Sequence, residues 1–466
     1  MKKRLLVSLV AALSATSASA VDLLTVYEQS LAYDSELAAD RASYTAQLAA
    51  SDQVRALLLP QLNAYGEAAI TEQDAEGAER DGFSTFGFGL ELTQPLFRAS
   101  SYFDYRASQK QSLQAEAELS LAQQELILNV ANAYFNVLRA QDILDAARSA
   151  EAAVKRQFEQ SEERYDVGLI AVTEVLEAQA AYDDVKTQRI TAESDLDIAS
   201  ESLARLTGQY HGRLDKLEQD FPIVPPQPAD PSAWAEVALA QNWQIKAAQF
   251  QTEVQEKFHD SARAGHLPTL DLTANLSSNK VNGAASQLNR DQDGATIGLR
   301  LNVPLYSGGG TQAAVRRTDA LVEQSEAILE TTRRNVALDT RSLFRSITTN
   351  IQSISSLRQS IISRRSALDA TRAGYRVGTR NIVEVLDAER QFYLALSNFA
   401  NARYDYVLNT LSLKQAAGTL SPLDVRELNR WVSASAPGIE ALAQQVQEEA
   451  ESVEPSQARP GGARRR

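Results

Sequence analysis

Residues 385–416 read VLDAERQFYLALSNFANARYDYVLNTLSLKQA, and the spacing of their apolar positions decides the fold. Val385, Ala388, Phe392, Ala395, Phe399, Ala402, Tyr406, Asn409, Leu413 and Ala416 recur at alternating steps of three and four, which is the seam of a coiled coil. Large residues alternate with alanine along much of it, so a neighbouring helix can lie close. A second seam lies 210 residues earlier: Val175, Ala178, Tyr182, Val185, Arg189, Ala192, Leu196, Ala199, Leu203 and Leu206 keep the same steps with one polar exception.

Working outward, other features repeat at about the same offset. Tyr165-Asp-Val-Gly-Leu169 answers Tyr375-Arg-Val-Gly-Thr379, Leu59-Pro-Gln-Leu62 answers Leu267-Pro-Thr-Leu270, and Gly208 answers Gly418. Helical periodicity runs from about Ala99 to Tyr165 and from Thr311 to Tyr375, and a helix of that length extends about 100 Å, too long for a compact domain. Each returning helix is expected to pack on its own long helix. The order is helix, strand, strand, helix, turn, helix, twice. A leader at 1–20, a first repeat at 21–221, a Pro-rich link at 222–231, a second repeat at 232–430 and an unstructured tail at 431–466 follow from it.

Four short segments change the period from about 3.6 to 2. Phe86, Phe88, Leu90 and Leu92 alternate with Gly87, Gly89 and Glu91; Leu270, Leu272, Ala274 and Leu276 alternate with Asp271, Thr273 and Asn275. Ile297, Leu299, Leu301 and Val303 form the third set, and Leu62 to Thr71 alternates more weakly. Polar loops are expected at Glu72–Gly82 and Ser278–Gly294. One face suits lipid and the other water, as in an outer-membrane barrel wall. Four strands cannot close a barrel, and open edges are not tolerated in hydrocarbon, so several chains must share one. Two would supply eight strands and three would supply twelve with room for a lumen.

Composition excludes several classes. The 466 residues contain no Cys, so thiol catalysis, a disulfide framework, thiolate metal sites and an acylated amino-terminal cysteine are ruled out. His211, His259 and His266 form no ligand set. Lys2, Lys3 and Arg4 precede the apolar run Leu5–Leu13 and a small-residue stretch ending at Ala20, which reads as an export signal. Without those cations 43 basic residues stand against 60 acidic ones, a poor match for nucleic acid. Ser307-Gly-Gly-Gly310 lacks the Gly-Lys-Ser/Thr of a phosphate loop and reads as a joint between strand and helix. No clustered acid, base and nucleophile suggests an enzyme. A coiled-coil adaptor or filament would share the seams and leave the paired amphipathic strands unexplained.

The runs His266-Leu-Pro-Thr-Leu-Asp-Leu-Thr-Ala274, Ala373-Gly-Tyr-Arg-Val-Gly-Thr-Arg-Asn-Ile-Val-Glu-Val-Leu-Asp-Ala388 and Ala400-Asn-Ala-Arg-Tyr404 resemble the TolC family of outer-membrane export channels, from about Asp22 to Asn429. The resemblance implies an α+β membrane protein: a homotrimer with a 12-stranded outer-membrane barrel, four strands per chain, continuing into a coiled-coil periplasmic tunnel. It implies no enzyme activity and no cofactor. The implied partners are outer-membrane lipid, a periplasmic adaptor and an inner-membrane translocase of the ABC or proton-driven class, the latter either RND or major facilitator. Drugs, small toxic molecules and secreted proteins would be the cargo. By the same resemblance the turns Val167-Gly168-Leu169 and Val377-Gly378-Thr379 are adaptor-docking tips at a closed tunnel end. Tyr375 would bond Glu174, Arg380 would reach Thr173 of a neighbouring subunit, and Arg403 would join a second latch with Gln157. Two departures bear on the latch: Glu174 stands where the family has Asp, and Arg372 where it has an acid. Glu384 and Asp387, repeated in three chains, would make a carboxylate selectivity and gate ring that binds blocking cations.

Overall fold

A computed structural model describes residues 20–73, 81–283 and 290–436; residues 1–19 of the expected leader, the tips of both strand-connecting loops and the tail beyond 436 lie outside them. In order the elements are α1 (Leu23–Tyr33), α2 (Ser35–Ala56), β1 (Gln61–Gln73), β2 (Asp81–Phe97), α3 (Ala99–Asp166), α4 (Val172–Thr207), β3 (Lys216–Leu217) and α5 (Pro231–Gln241). Then follow α6 (Trp243–Ala264), β4 (Thr269–Gly283), β5 (Arg290–Asn302), α7 (Gly310–Arg376), α8 (Ile382–Ala416), α9 (Pro422–Asn429) and β6 (Val432–Ser433). The long helices have 68 and 67 residues and begin and end within a residue or two of the periodicity. No described helix is long and apolar enough to cross a membrane.

The leading helix of each half is in fact two helices. Asp34 ends α1, its N–H bonding Ser30 O at 2.8 Å, while its carboxylate accepts from Leu37 N at 2.7 Å and opens α2. Asn242 divides α5 from α6 in the same place in the second half, with its N–H on Ala238 O at 2.9 Å and its side-chain amide on Ala416 O at 2.9 Å.

The chain forms two compact units, to both of which α3 and α7 contribute. The unit made of Ala38–Leu121 and Trp243–Asn335 holds an antiparallel sheet in the order β1-β2-β4-β5. Its register aligns Ala64, Leu90, Leu276 and Ala295 in one row and Leu62, Leu92, Ala274 and Ile297 in the next. With period two, one face is therefore an apolar band four strands wide, and Leu62, Phe86, Phe88, Ile297, Leu299 and Leu301 stand exposed on it. β1 and β5 are edges with no partner strand among the described residues. The strands are longer than their alternation suggests. β2 starts at Asp81 and β4 continues to Gly283, so residues expected in polar loops extend the ladder. Phe86 pairs with Lys280 and Phe88 with Ser278, so polar side chains of β4 hid the continuation.

At Gly89 a Cβ would lie 2.6 Å from the Tyr65 ring and 2.7 Å from Leu276 O, so the wall is thin there because only glycine fits. Just past β2, Arg98 grips Asp271 of β4 in a fork, Nε to Oδ1 at 2.9 Å and Nη2 to Oδ2 at 2.8 Å.

The other unit comprises the chain up to Leu37, Ala122–Asn242 and the chain from Val336 onward. Here β3 pairs with β6, Lys216 opposite Ser433 and Leu217 opposite Val432, so the ordered fold extends past Trp431, where sequence suggested a tail. Two residues per strand are too few to leave a period. Around this ribbon Asp142 accepts from Lys216 Nζ at 2.9 Å and from Tyr404 Oη at 2.7 Å, and Tyr134 Oη donates to Asp215 O at 2.7 Å. Burial, and then the Asp142 charge, push the Tyr404 phenol well above its ordinary value.

Candidate functional site

The two helical hairpins turn in the same way. After α3, Gly168 N bonds Tyr165 O at 2.8 Å and Leu169 N bonds Arg164 O at 2.8 Å; after α7, Gly378 N bonds Tyr375 O at 3.1 Å and Thr379 N bonds Gly374 O at 2.9 Å. These nested bonds close a helix C-terminus and need a left-handed residue, which Gly168 supplies at φ 76° and Gly378 at φ 78°. Val167, Leu169 and Val377 are about 70% exposed, an apolar cost no single chain recovers.

The helices that follow start differently. Asn381 caps α8: its side chain accepts from Glu384 N at 2.9 Å, and Glu384 Oε1 accepts from Asn381 N at 3.4 Å. The 210-residue counterpart of Asn381 is Ala171, which has no side-chain cap to offer α4. Glu384 also takes Arg380 Nη1 at 2.5 Å, and this bond, followed by the Asn381 N–H, holds its carboxyl below the ordinary value of 4.5. Among the described residues the Tyr375 hydroxyl has no partner and Arg380 bonds Glu384, so neither is bonded to Thr173 or Glu174.

Tyr375 is buried with Ala178, Ile382 and Val385, against Phe158 and Leu386. The Arg164 guanidinium lies 5.0 Å from its ring centre, yet its hydroxyl is buried without a partner. The Gln157 amide nitrogen is another buried orphan. Orphans of this kind are uncommon in a finished interface and mark where further contacts are wanted.

Arg372 sits where the family resemblance leads one to expect an acid, and it is not idle. Its Nη2 and Nε reach Glu389 Oε1 at 2.7 and 3.2 Å across the second hairpin, while Glu389 Oε2 has no partner. Arg403 does not extend to Gln157: it donates to Glu218 O, in the cluster of Tyr404 and Asp142. Glu218 lies just after β3, and among the described residues of the single chain Arg403 and Gln157 are not bonded to each other. Sequence reasoning missed Glu389, Arg390 and the Asn381 cap. Only the last had a readable signal, the Asn-x-x-Glu spacing of a capping box.

Asp387 bonds Arg390 Nη2 at 2.5 Å. Glu384, Asp387 and Arg390 line the α8 wall of a groove of about 1190 Å³ within this unit, and Glu177, Asp184 and Asp195 line its α4 wall over an alanine floor from α3. The groove offers both charge and apolar surface along its length. Among the described residues no group of His, Asp and Glu could hold a metal ion.

The pattern of the outer membrane efflux protein family matches residues 26–209 and 234–419. The chain is 37% identical to outer membrane protein TolC of Vibrio cholerae over 92% of its own length and 98% of that protein's. It is 28% identical to the alkaline protease secretion protein AprF of Pseudomonas aeruginosa, covering 80% of this chain and 79% of the relative. The crystal structure of CusC superposes with a TM-score of 0.75 at 21% identity, over 85% of this chain and 92% of that one, a likeness of fold.

Proposed function

The chain belongs to the outer membrane efflux protein family, and from that premise we propose that three copies assemble into one gated exit duct. It is an outer-membrane channel of the efflux and type I secretion kind. The observation that carries the trimer is the four-stranded sheet with an apolar face and two bare edges, β1 and β5. Each bare edge presents backbone N–H and C=O groups that lipid cannot satisfy, so β5 of one copy pairs with β1 of the next until the ring closes. Closure at 12 strands leaves a lumen, whereas eight would be filled by side chains. The two repeats, 21–221 and 232–430, then each supply a strand pair and a helical hairpin, and the hairpins line a periplasmic tunnel.

In this reading the orphaned Tyr375 hydroxyl bonds Glu174, whose carboxylate is uncommitted, and Arg380 exchanges Glu384 for Thr173 of the adjacent subunit. Gln157 takes a further link from a neighbour. The exposed turn residues Val167, Leu169 and Val377 meet the periplasmic adaptor, and an inner-membrane translocase supplies the energy, so the chain itself performs no chemistry. Glu384 and Asp387 ring the constriction. Native mass spectrometry of the detergent-extracted protein tests the assembly: three chains are expected, and a monomer or dimer conducting ions in a planar bilayer would overturn it. Arg380→Ser with Tyr375→Phe should raise single-channel conductance; unchanged conductance in assembled trimers removes the latch.

A further inference from the structure

Each carboxylate of the proposed ring carries an arginine from its own chain. Arg380 lies one turn before Glu384 and Arg390 three residues after Asp387, both at 2.5 Å, and all four side chains are more than a third exposed. Exposed pairs of this type contribute little to stability, so stability does not explain them. Their effect is on the field. A lone carboxylate projects a unit negative charge into a narrow water column, whereas a paired one projects a dipole that salt screens within a few ångströms.

The two arginines differ in what else they do. Arg380 has a second use in the latch, and on leaving it would uncover Glu384. Arg390 has Asp387 as its one hydrogen-bond partner among the described residues, and it lines the same groove wall. Nothing in the proposed latch draws it away from Asp387.

We infer that Arg390 is a selectivity-determining residue of this channel: it neutralises Asp387, weakens the ring's preference for cations and its hold on multivalent blocking ions, and eases the passage of anionic cargo. Glu384 then becomes the effective charge of the constriction, exposed only when Arg380 is drawn away. A ring of six carboxylates in three chains acts as at most three. The inference rests on the proposed placement of Glu384 and Asp387 at the constriction.

The experiment is a planar-bilayer recording of the full-length trimer, reading the reversal potential in a KCl gradient and block by hexamminecobalt(III) added from the tunnel side. Arg390→Gln should raise the potassium-to-chloride permeability ratio several-fold and tighten block at least about tenfold, since three net negative charges are released around one axis. Arg390→Lys, which keeps the charge, should behave like the parent, and Asp387→Asn alone, which leaves Arg390 without its counter-charge, should move both readings the opposite way, toward chloride and weaker block. If Arg390→Gln matches the parent while Glu384→Gln with Asp387→Asn alters both readings, the ring stands and the role of Arg390 is refuted. If that double variant alters neither reading, the ring itself is misplaced and the inference falls with it.

Discussion

Replacing Arg372 by Met tests what holds the second hairpin together. Glu389 is 3% exposed at its side chain and Arg372 40%, and both hydrogen bonds between them land on one carboxylate oxygen while the other has none. Without Arg372 an ionised group is left in a site that offers it nothing. Breaking a buried pair from one side costs about 3–5 kcal/mol. Because water already screens the half-exposed guanidinium, the lower end applies, about 3 kcal/mol, or roughly two powers of ten in the opening equilibrium. Hydrogen exchange of the assembled protein reads this locally, since amides are protected by the opening free energy of the segment that carries them. Peptides spanning 365–395 should lose about a hundredfold protection in Arg372→Met, while β4 peptides stay unchanged. The double variant Arg372→Met with Glu389→Leu removes the charge along with its partner and should return most of the loss. Protection within threefold of the parent in the single variant, or a double variant no better than the single, would refute the account.

Other outcomes follow from the same geometry. Ala171→Asn gives α4 the cap that α8 has, and should stabilise its first turn by about 1 kcal/mol, seen as slower exchange at 172–175; no slowing would mean that a cap is not what α4 lacks. Arg98→Ala breaks the fork to the largely buried Asp271 and should cost about 1.5–3 kcal/mol, lowering the melting temperature followed by circular dichroism of the sheet. Glu384 has a depressed folded-state value, so its pairing with Arg380 contributes fully above 4.5 and is lost as pH falls through that lower value. In the unlatched channel, where Arg380 stands on Glu384, ion selectivity should accordingly stay flat from pH 8 down to about 5, and a midpoint near 6 would contradict it.

Much of this could be read before any coordinates. The seams at 175–206 and 385–416 locate α4 and α8 because a coiled-coil register must hold over many turns to bury a stripe, and ten positions in phase leave little ambiguity. Strand length was less legible. Alternation fails where both faces of a strand carry polar side chains, as at Asn279, Lys280 and Asn282 of β4. The Arg372–Glu389 pair was hidden for another reason: its partners are 17 residues apart on antiparallel helices, and no local period links them. The resemblance marked Arg372 as a departure, and the compensating acid is visible only once the hairpin is folded.

The bare edges of β1 and β5 also bear on how the protein is made. In the proposed ring, a solitary chain entering hydrocarbon would carry two rows of unsatisfied backbone groups, each costing several kcal/mol, so insertion would wait for, or proceed with, association. On that reading the yield of inserted channel would climb more steeply than in proportion to synthesis and would collapse when chains are scarce. The proposed ring would also be vulnerable to its own defective copies: a chain with one spoiled edge would join it and prevent its closure, so a single damaged allele would disable far more assemblies than its share of the chains.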